Sequence, residues 1–187
     1  MNIILFGPPG AGKGTQAKYL VKKLNNFQIS TGDILRDEIK NDTEIGKKII
    51  DVMNDGKFVS DDIVNLLIKK HVFDPKKKNR LIFDGYPRSI SQAKNLNFLL
   101  ESSNQRVKFV FFLNVNKNTI IKRIEKRKVL EKRSDDELNT ILKRYDTYME
   151  TTEPVLQFYS KNSNFHEIDG TLKIEEITNK IDTFINV

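Results

Sequence analysis

Residues Gly7 to Thr15 read GPPGAGKGT and directly follow the apolar run NIILF at residues 2–6. The spacing of Gly7, Gly12 and Lys13 matches the pattern G-x-x-x-x-G-K, which binds phosphate when it lies between a strand and a helix. Glycines let the backbone wrap around phosphate oxygens, while the helix N-terminus and the lysine supply positive charge. The stretch therefore predicts a phosphate-binding loop for a nucleoside triphosphate and a helix that begins near Lys13.

One residue of this loop departs from the general pattern. Serine or threonine usually follows the lysine directly, whereas here Gly14 stands between Lys13 and Thr15. The departure indicates a subgroup of these nucleotide-binding proteins.

Four more apolar runs follow the loop, and helical patterns fill the intervals between them. The runs are FQIS at 27–30, RLIFD at 80–84, VKFVFFL at 107–113 and NFHEID at 164–169. Nearly continuous apolar strands separated by helices are typical of a parallel sheet that is covered on both faces. We therefore expect an α/β, doubly wound P-loop fold with a five-stranded parallel sheet. Ligands of such sheets bind beyond the carboxyl ends of the strands.

Two of the helical patterns carry clear start signals. The first spans Asp61–Val72, with Ser60 as its expected cap. Its apolar face is formed by Ile63, Val64, Leu67 and Ile68. The second is expected after Ser134, where Ser134 and Glu137 form a capping-box pattern. Its apolar positions recur at helical spacing and are Leu138, Ile141, Leu142, Tyr145 and Met149.

The composition favours one soluble domain. The 187 residues, 38% of them hydrophobic, can bury a single core, and no run approaches the roughly 18 apolar residues of a membrane span. Zero cysteines exclude disulfides and cysteine-bound zinc, and they fit a reducing cytoplasm. His71 and His166 are expected to be structural or solvated, because a transition-metal site needs three or four ligands. We expect a cytoplasmic protein without a membrane partner.

The formal net charge of +7 raises nucleic-acid binding as an alternative. Acidic residues are interspersed along the chain, however, and Lys76 to Lys78 lie in an expected loop after Pro75. The 24 lysines suit a solvated surface, whereas the eight arginines suit contacts with phosphate. The distribution argues against a nucleic-acid partner, and salt-dependent binding in the absence of nucleotide is the observation that would reveal one.

Two further motifs follow predicted strands. Thr31, Gly32 and Asp33 come after the second strand, with Arg36 one turn into the next helix; alone, they indicate an ordinary helix start. The third strand ends in Asp84, beside the expected phosphate loop. A carboxylate there is well placed to hold the water shell of Mg²⁺, and capping of a helix or turn is the alternative.

Four arginines stand close to one short connection. Arg123 and Arg127 share a face if their segment is helical, and Arg133 and Arg144 lie about three turns apart on the following element. A solvated face paired with acidic residues is the alternative. Phosphoryl transfer depends on positioning and on neutralising charge, so beside a phosphate loop these arginines favour a phosphoryl-transfer site.

Taken together, these motifs resemble those of the adenylate kinases. The likeness covers nearly the whole chain and includes TGD with Arg36, DGYPR at 84–88 with Gln92, and RSDD at 133–136. The resemblance implies Mg²⁺-dependent phosphoryl transfer from ATP to AMP, giving two ADP. A UMP or CMP kinase of the same architecture is the nearest alternative, but Thr31 and Gln92 together favour AMP.

The resemblance also implies a role for each residue. ATP would be bound by Gly10, Ala11, Gly12, Lys13, Gly14, Thr15, Arg127 and Leu172. AMP would be bound by Thr31, Arg36, Lys57, Phe58, Val59, Gly85, Tyr86, Pro87, Arg88, Gln92, Arg133 and Arg144. The implied catalytic set is Lys13, Asp84, Arg88, Arg123, Arg133 and Arg144. Mg²⁺ would bind through ATP phosphates and water, with Asp84 holding the water and no side chain on the metal itself.

Within the single domain, the resemblance implies a core and two movable parts. The core would comprise residues 1–29, 60–125 and 137–187, with an insert for the monophosphate at 30–59 and a lid at 126–136. Only five residues separate Arg127 from Arg133, so we expect the short-lid, zinc-free form, acting as a monomer. Tyr86 replaces the commoner phenylalanine, from which we expect little consequence, and a cis bond is implied before Pro87.

Overall fold

The sheet has the predicted order of parallel strands. A computed structural model describes residues 1–131 and 138–186, with side chains described outside residues 126–138. The strands are β1 (Asn2–Phe6), β2 (Phe27–Ser30), β3 (Leu81–Asp84), β4 (Val107–Asn114) and β5 (Phe165–Asp169), and they lie in the order β2-β3-β1-β4-β5. The predicted α/β, doubly wound sheet is confirmed. The strand bounds differ by one residue, because Arg80 and Asn164 lie outside β3 and β5 and Asn114 extends β4.

Helices fill every interval between successive strands. The first intervals hold α1 (Lys13–Leu24), α2 (Thr31–Lys40), α3 (Glu44–Asn54), α4 (Asp61–Val72) and α5 (Ile90–Ser102). The later ones hold α6 (Lys117–Glu131), α7 (Leu138–Thr151), α8 (Glu153–Ser160) and, after β5, α9 (Ile174–Ile185). Lys76 and Lys77 belong to a 3-10 turn, Pro75–Lys77, where only a loop had been expected.

Two apolar layers pack on the two faces of the sheet. Alternating residues of β1 face opposite sides, and all five of its residues are buried. Ile4 and Phe6 pack with residues of α4, α5 and α8, whereas Ile3 and Leu5 pack with residues of α1, α6 and α9. A central strand that is buried on both faces explains why the run NIILF is continuously apolar.

The predicted N-cap of α4 is confirmed in position but not in its hydrogen bond, and one predicted apolar position of α7 is wrong. Ser60 stands at the N-cap position of α4, but its side chain makes no capping hydrogen bond. In α7, Met149 is 38% exposed, whereas Ile141 and Tyr148 supply the buried positions. Tyr148 lies one turn after Arg144, on the face that turns inward. The capping box that was expected at Ser134 and Glu137 lies outside the described residues.

The register of the sheet places the ends of three strands together. Asp84 pairs with Leu5 of β1 and with Ser30 of β2. Because the strands are parallel, the loop after β1, the start of α2 and the turn after β3 all begin at the same edge. Three of the predicted motifs therefore meet there.

Candidate functional site

A cleft opens at the carboxyl edge of the sheet. Its walls come from the loop after β1, the start of α2, the turn after β3 and the last turns of α7. The lining residues include Gly7, Gly10, Lys13, Ser30, Gly32, Arg36, Phe58, Asp84, Gly85, Pro87, Arg88, Arg144, Tyr148 and Thr152. One cavity thus brings together the phosphate loop, the segment with Gly32 and Arg36, Phe58, the turn after β3, and Arg144.

The loop after β1 leads into a helix start that no described side chain caps. Gly12 precedes α1 with φ 97°, a left-handed conformation that favours glycine, and an added Cβ there would meet nothing within 4 Å. The first turn of α1 contains no acidic residue. The positive end of the helix dipole and its first amides are therefore available to an anion from outside the chain.

Lys13 and Arg123 both bind carbonyl groups of this loop. The Lys13 ammonium donates to the carbonyls of Gly7, at 2.7 Å, and Pro8, at 3.0 Å. The Arg123 guanidinium donates from α6 to the carbonyl of Ala11, at 3.3 Å. Both cations are thus held beside the loop.

Asp84 is buried where β3 ends, with 9% of its surface exposed. Gln28 donates to its Oδ2 at 2.9 Å, and the same oxygen lies 3.7 Å from the position a Cβ would take at Gly14. The carboxylate thus faces the first turn of α1. Ser89, not Asp84, caps the following helix, so the capping alternative is not supported. Hard oxygen donors of this kind are those that Mg²⁺ prefers.

Arg88 lies half-buried in the turn after β3. Its Nε donates to the carbonyl of Gly85 at 2.7 Å, and its guanidinium carbon lies 4.6 Å from the ring centre of Phe58. Burial, together with the positive charge of Arg144, lowers the pKa of Arg88 to about 10. The group remains charged at neutral pH, at a cost that a bound anion would offset.

Thr31 and Gln92 are attached to the same turn from outside the cleft. Thr31 is buried and donates to the carbonyl of Gly85 at 2.8 Å. Gln92 is 3% exposed, and its Oε1 accepts from the amide of Arg88 at 2.7 Å. Neither residue is among those that line the described cleft. The structure therefore places both behind the turn.

Other residues assigned to the monophosphate line either the cleft or a hollow beside it. Phe58 lines the cleft, and an adjoining hollow is lined by residues that include Lys57, Val59 and Arg144. The Lys57 ammonium is exposed and pairs with Asp55 at 3.0 Å. Arg36 lines the cleft and forms an ion pair with Asp33 of its own helix.

Of three further assigned residues, one lies away from the cleft, and the side chains of two arginines lie outside the described residues. Leu172 is half-buried against the apolar layer beside α9 and does not line the cleft. Arg127 lies in α6, as its spacing from Arg123 predicted, but its side chain lies outside the described residues. Arg133 also lies outside them.

Two cleft residues were missed in the sequence. Tyr148 and Thr152 line the cleft from the end of α7 and the residue after it. Thr152 donates to the carbonyl of Arg88 at 3.2 Å and so ties this element to the turn. Their spacing of four and eight residues from Arg144 is helical, which is the signal that could have found them.

The chain carries the sequence signature of a known family at this cleft. A family model described as adenylate kinase matches residues 5–164. The chain belongs to the adenylate kinase family. It is 49% identical to an adenylate kinase of Pelagibacter ubique, with all of both chains covered. It is 41% identical to one of Mycoplasma capricolum, covering 97% of each, and 38% identical to one of Caulobacter, covering 100% of this chain and 99% of that one.

Membership makes the chain a phosphotransferase. The family and the names of its relatives support adenylate kinase function and do not favour the UMP or CMP kinase alternative. The predicted family, fold and class of enzyme are therefore confirmed.

The part of the chain that the structure describes contains neither a candidate metal cluster nor a membrane-spanning helix. No cluster of three or more histidine, aspartate or glutamate side chains there could hold a metal ion, and the chain has no cysteine. His166 instead stacks on Phe184, with ring centres 3.9 Å apart. No described helix is both long and apolar enough to cross a membrane.

Tyr86, the residue before the cis bond to Pro87, both donates and accepts hydrogen bonds through its hydroxyl. The hydroxyl donates to Asn65 Oδ1 at 2.7 Å and accepts from Asn95 at 3.1 Å, which links α4 to α5. Burial raises the pKa of Tyr86 to about 12. Tyr159 offers a contrast, because its buried hydroxyl has no hydrogen-bond partner among the described residues. The hydroxyl that distinguishes Tyr86 from phenylalanine therefore links two helices, a role that the sequence did not reveal.

We expect Tyr86→Phe to lower the free energy of unfolding by about 1–2 kcal/mol, because the two half-buried amides of Asn65 and Asn95 lose a partner. Tyr159→Phe is the matched control, and its stability should stay unchanged or rise, since it removes a buried hydroxyl that makes no hydrogen bond. Denaturant unfolding of both variants checks this. Equal stability changes in the two would show that the Tyr86 network contributes nothing.

Proposed function

We propose that this chain catalyses reversible, Mg²⁺-dependent transfer of the terminal phosphoryl group of ATP to AMP, giving two ADP and balancing the adenine nucleotides. The observation that carries the proposal is the meeting, in one cleft, of a phosphate loop with arginines from α2, from the turn after β3 and from α7. A loop alone would hold one triphosphate. Cations on the opposite wall suit a second anionic substrate that faces the first.

ATP binds at the loop side of the cleft. Its phosphates lie against Gly10 to Thr15, where the uncapped start of α1 and the Lys13 ammonium support this placement. Arg123 reaches the same loop through the carbonyl of Ala11. Arg127 and the backbone of Leu172 complete the ATP side by the family resemblance.

AMP binds at the opposite wall. Arg36, Arg88 and Arg144 hold its phosphate, and the pKa of Arg88 is lowered first by burial and then by the positive charge of Arg144. Around them, the acceptor site is completed by Thr31, Lys57, Phe58, Val59, Gly85, Tyr86, Pro87, Gln92 and Arg133. Because Gln92 is almost wholly buried, the base reaches it only when the neighbouring wall opens.

Asp84 fits the Mg²⁺ that accompanies ATP. Its buried carboxylate faces Gly14 and is oriented by Gln28, so it would hold water molecules of the ion rather than the ion itself. When bound, Mg²⁺ supplies neutralisation of phosphate charge. No zinc is part of this proposal.

The reaction needs no general base from the protein. An oxygen of the AMP phosphate, already anionic at neutral pH, forms the new bond to the γ-phosphorus of ATP. The bond from that phosphorus to the β–γ bridging oxygen breaks, and ADP leaves from each side. Orientation of this kind can lower a barrier by about 7–11 kcal/mol, and charge neutralisation by Lys13, Arg88, Arg123, Arg133 and Arg144 supplies more.

Closure protects the phosphoryl group from water. In the proposal, the insert 30–59 and the short lid 126–136 move over the core, which comprises 1–29, 60–125 and 137–187. The insert holds α2 and α3, and it meets the core at Ser30 and Ser60, where both are next to helix starts. The Pelagibacter relative aligns over 213 positions and so carries residues that this chain of 187 lacks, which fits a shorter lid here.

The proposal extends to the setting of the enzyme. We infer a cytoplasmic monomer whose partners are ATP, AMP and ADP, with neither nucleic acid nor membrane among them. The absence of cysteine fits a reducing compartment.

The direct test is an acceptor panel. With ATP and Mg²⁺, we expect AMP to be phosphorylated with kcat/KM on the order of 100-fold above UMP or CMP. A coupled assay of ADP formation measures this. Preference for a pyrimidine monophosphate would overturn the assignment of the acceptor.

Arg88→Ala tests the acceptor side separately. We expect kcat/KM for AMP to fall on the order of 100-fold, because a charged hydrogen bond to phosphate is lost, while ATP binding is retained. Arg106→Ala is the matched control, since Arg106 is exposed and lies outside the cleft. Unchanged use of AMP by Arg88→Ala would remove Arg88 from the acceptor site.

A further inference from the structure

The carboxamide of Gln92 is held at both of its ends. Its Nε2 donates to Asp61 Oδ1 at 2.7 Å, and its Oε1 accepts from the backbone amide of Arg88 at 2.7 Å. The other oxygen of Asp61 accepts from the Ser89 hydroxyl, also at 2.7 Å. Asp61 is the first residue of α4, where a negative charge is favoured by the helix dipole.

These partners permit only one orientation of the carboxamide. An ionised carboxylate can only accept a hydrogen bond, and a backbone N–H can only donate one. Turning the Gln92 carboxamide over would bring its oxygen against Asp61 and its NH₂ group against the amide of Arg88. Both contacts would be repulsive, so Asp61 and Arg88 together fix which atom of Gln92 lies where.

The fixed orientation has a consequence for base recognition. One N–H of Nε2 and one lone pair of Oε1 remain for a ligand. The 6-amino group of adenine donates a hydrogen bond and matches the lone pair, whereas a 6-oxo purine presents an acceptor there. A 6-oxo purine would need the carboxamide turned over, and Asp61 opposes that.

We propose that Asp61 is a positioning residue which, by orienting Gln92, makes the acceptor site select 6-amino over 6-oxo purine monophosphates. This inference rests on the proposed function, in which Gln92 faces the base of AMP. Among the described residues, the remaining hydrogen-bonding contacts of Gln92 are made by its backbone: its carbonyl lies 3.2 Å from the Tyr86 hydroxyl, and its amide donates to Ser89. The orientation of the side chain beyond Arg88 therefore depends on Asp61.

Asp61→Asn tests the proposal with little change in shape. Asparagine keeps one oxygen as an acceptor, but its NH₂ group can also donate to Gln92 Oε1, so only the Arg88 amide still opposes the reversed orientation. We expect the ratio of kcat/KM for AMP to that for IMP to fall about tenfold, the effect of one hydrogen bond to a charged group. Both acceptors are assayed on one sample, so the ratio does not depend on the fraction of folded enzyme.

Asp62→Asn is the matched control. Asp62 also lies in the first turn of α4, but it is exposed, so this variant should keep the wild-type ratio. Ser89→Ala removes the hydrogen bond to the second oxygen of Asp61 and should shift the ratio in the same direction by a smaller factor.

An Asp61→Asn enzyme that loses activity equally with AMP and IMP, or that keeps the wild-type ratio, would overturn the inference. In both cases, wild-type use of AMP leaves the proposed function standing. A wild-type enzyme that does not phosphorylate AMP would instead overturn the proposed function and, with it, this inference.

Discussion

The rest of the site depends on a helix start that the chain leaves open to an anion. No described side chain caps α1, and Gly12 keeps the approach to its first amides clear. Parallel strand register then brings Asp84 and the start of α2 to the same edge. Lys13 and Arg123 bind the loop from two further directions. The backbone at this edge therefore provides the phosphate site, and side chains add specificity to it.

Crowded positive charge is the second constraint, and it separates this cleft from a simple triphosphate site. Arg88 is held half-buried near Arg144 and Arg36, and its lowered pKa reflects the cost of that arrangement. The backbone of the turn is fixed by Thr31 and Gln92, and Thr152 ties it to the end of α7. Such a cationic wall is suited to a phosphate that faces the phosphates at the loop.

The sequence could predict what depends on local pattern. It predicted all five strands, α4, and the strand-end position of Asp84, because periodicity and turn residues act over a few neighbours. It did not reveal that Gln92 is held by Asp61, 31 positions away, or that the Tyr86 hydroxyl joins α4 to α5. It also assigned Met149 rather than Tyr148 to the inner face of α7. Those features depend on packing between elements, which no local pattern encodes.

The central claim is that one cleft holds two nucleotides at once, and binding measured by calorimetry tests it most directly. The protein would first be saturated with Mg²⁺ and an ATP analogue that cannot transfer its terminal phosphoryl group, and then titrated with AMP. We predict that one AMP binds per chain, with affinity no weaker than in the absence of the analogue. AMP that binds only by displacing the analogue would contradict the account, because the two nucleotides would then share a single phosphate site.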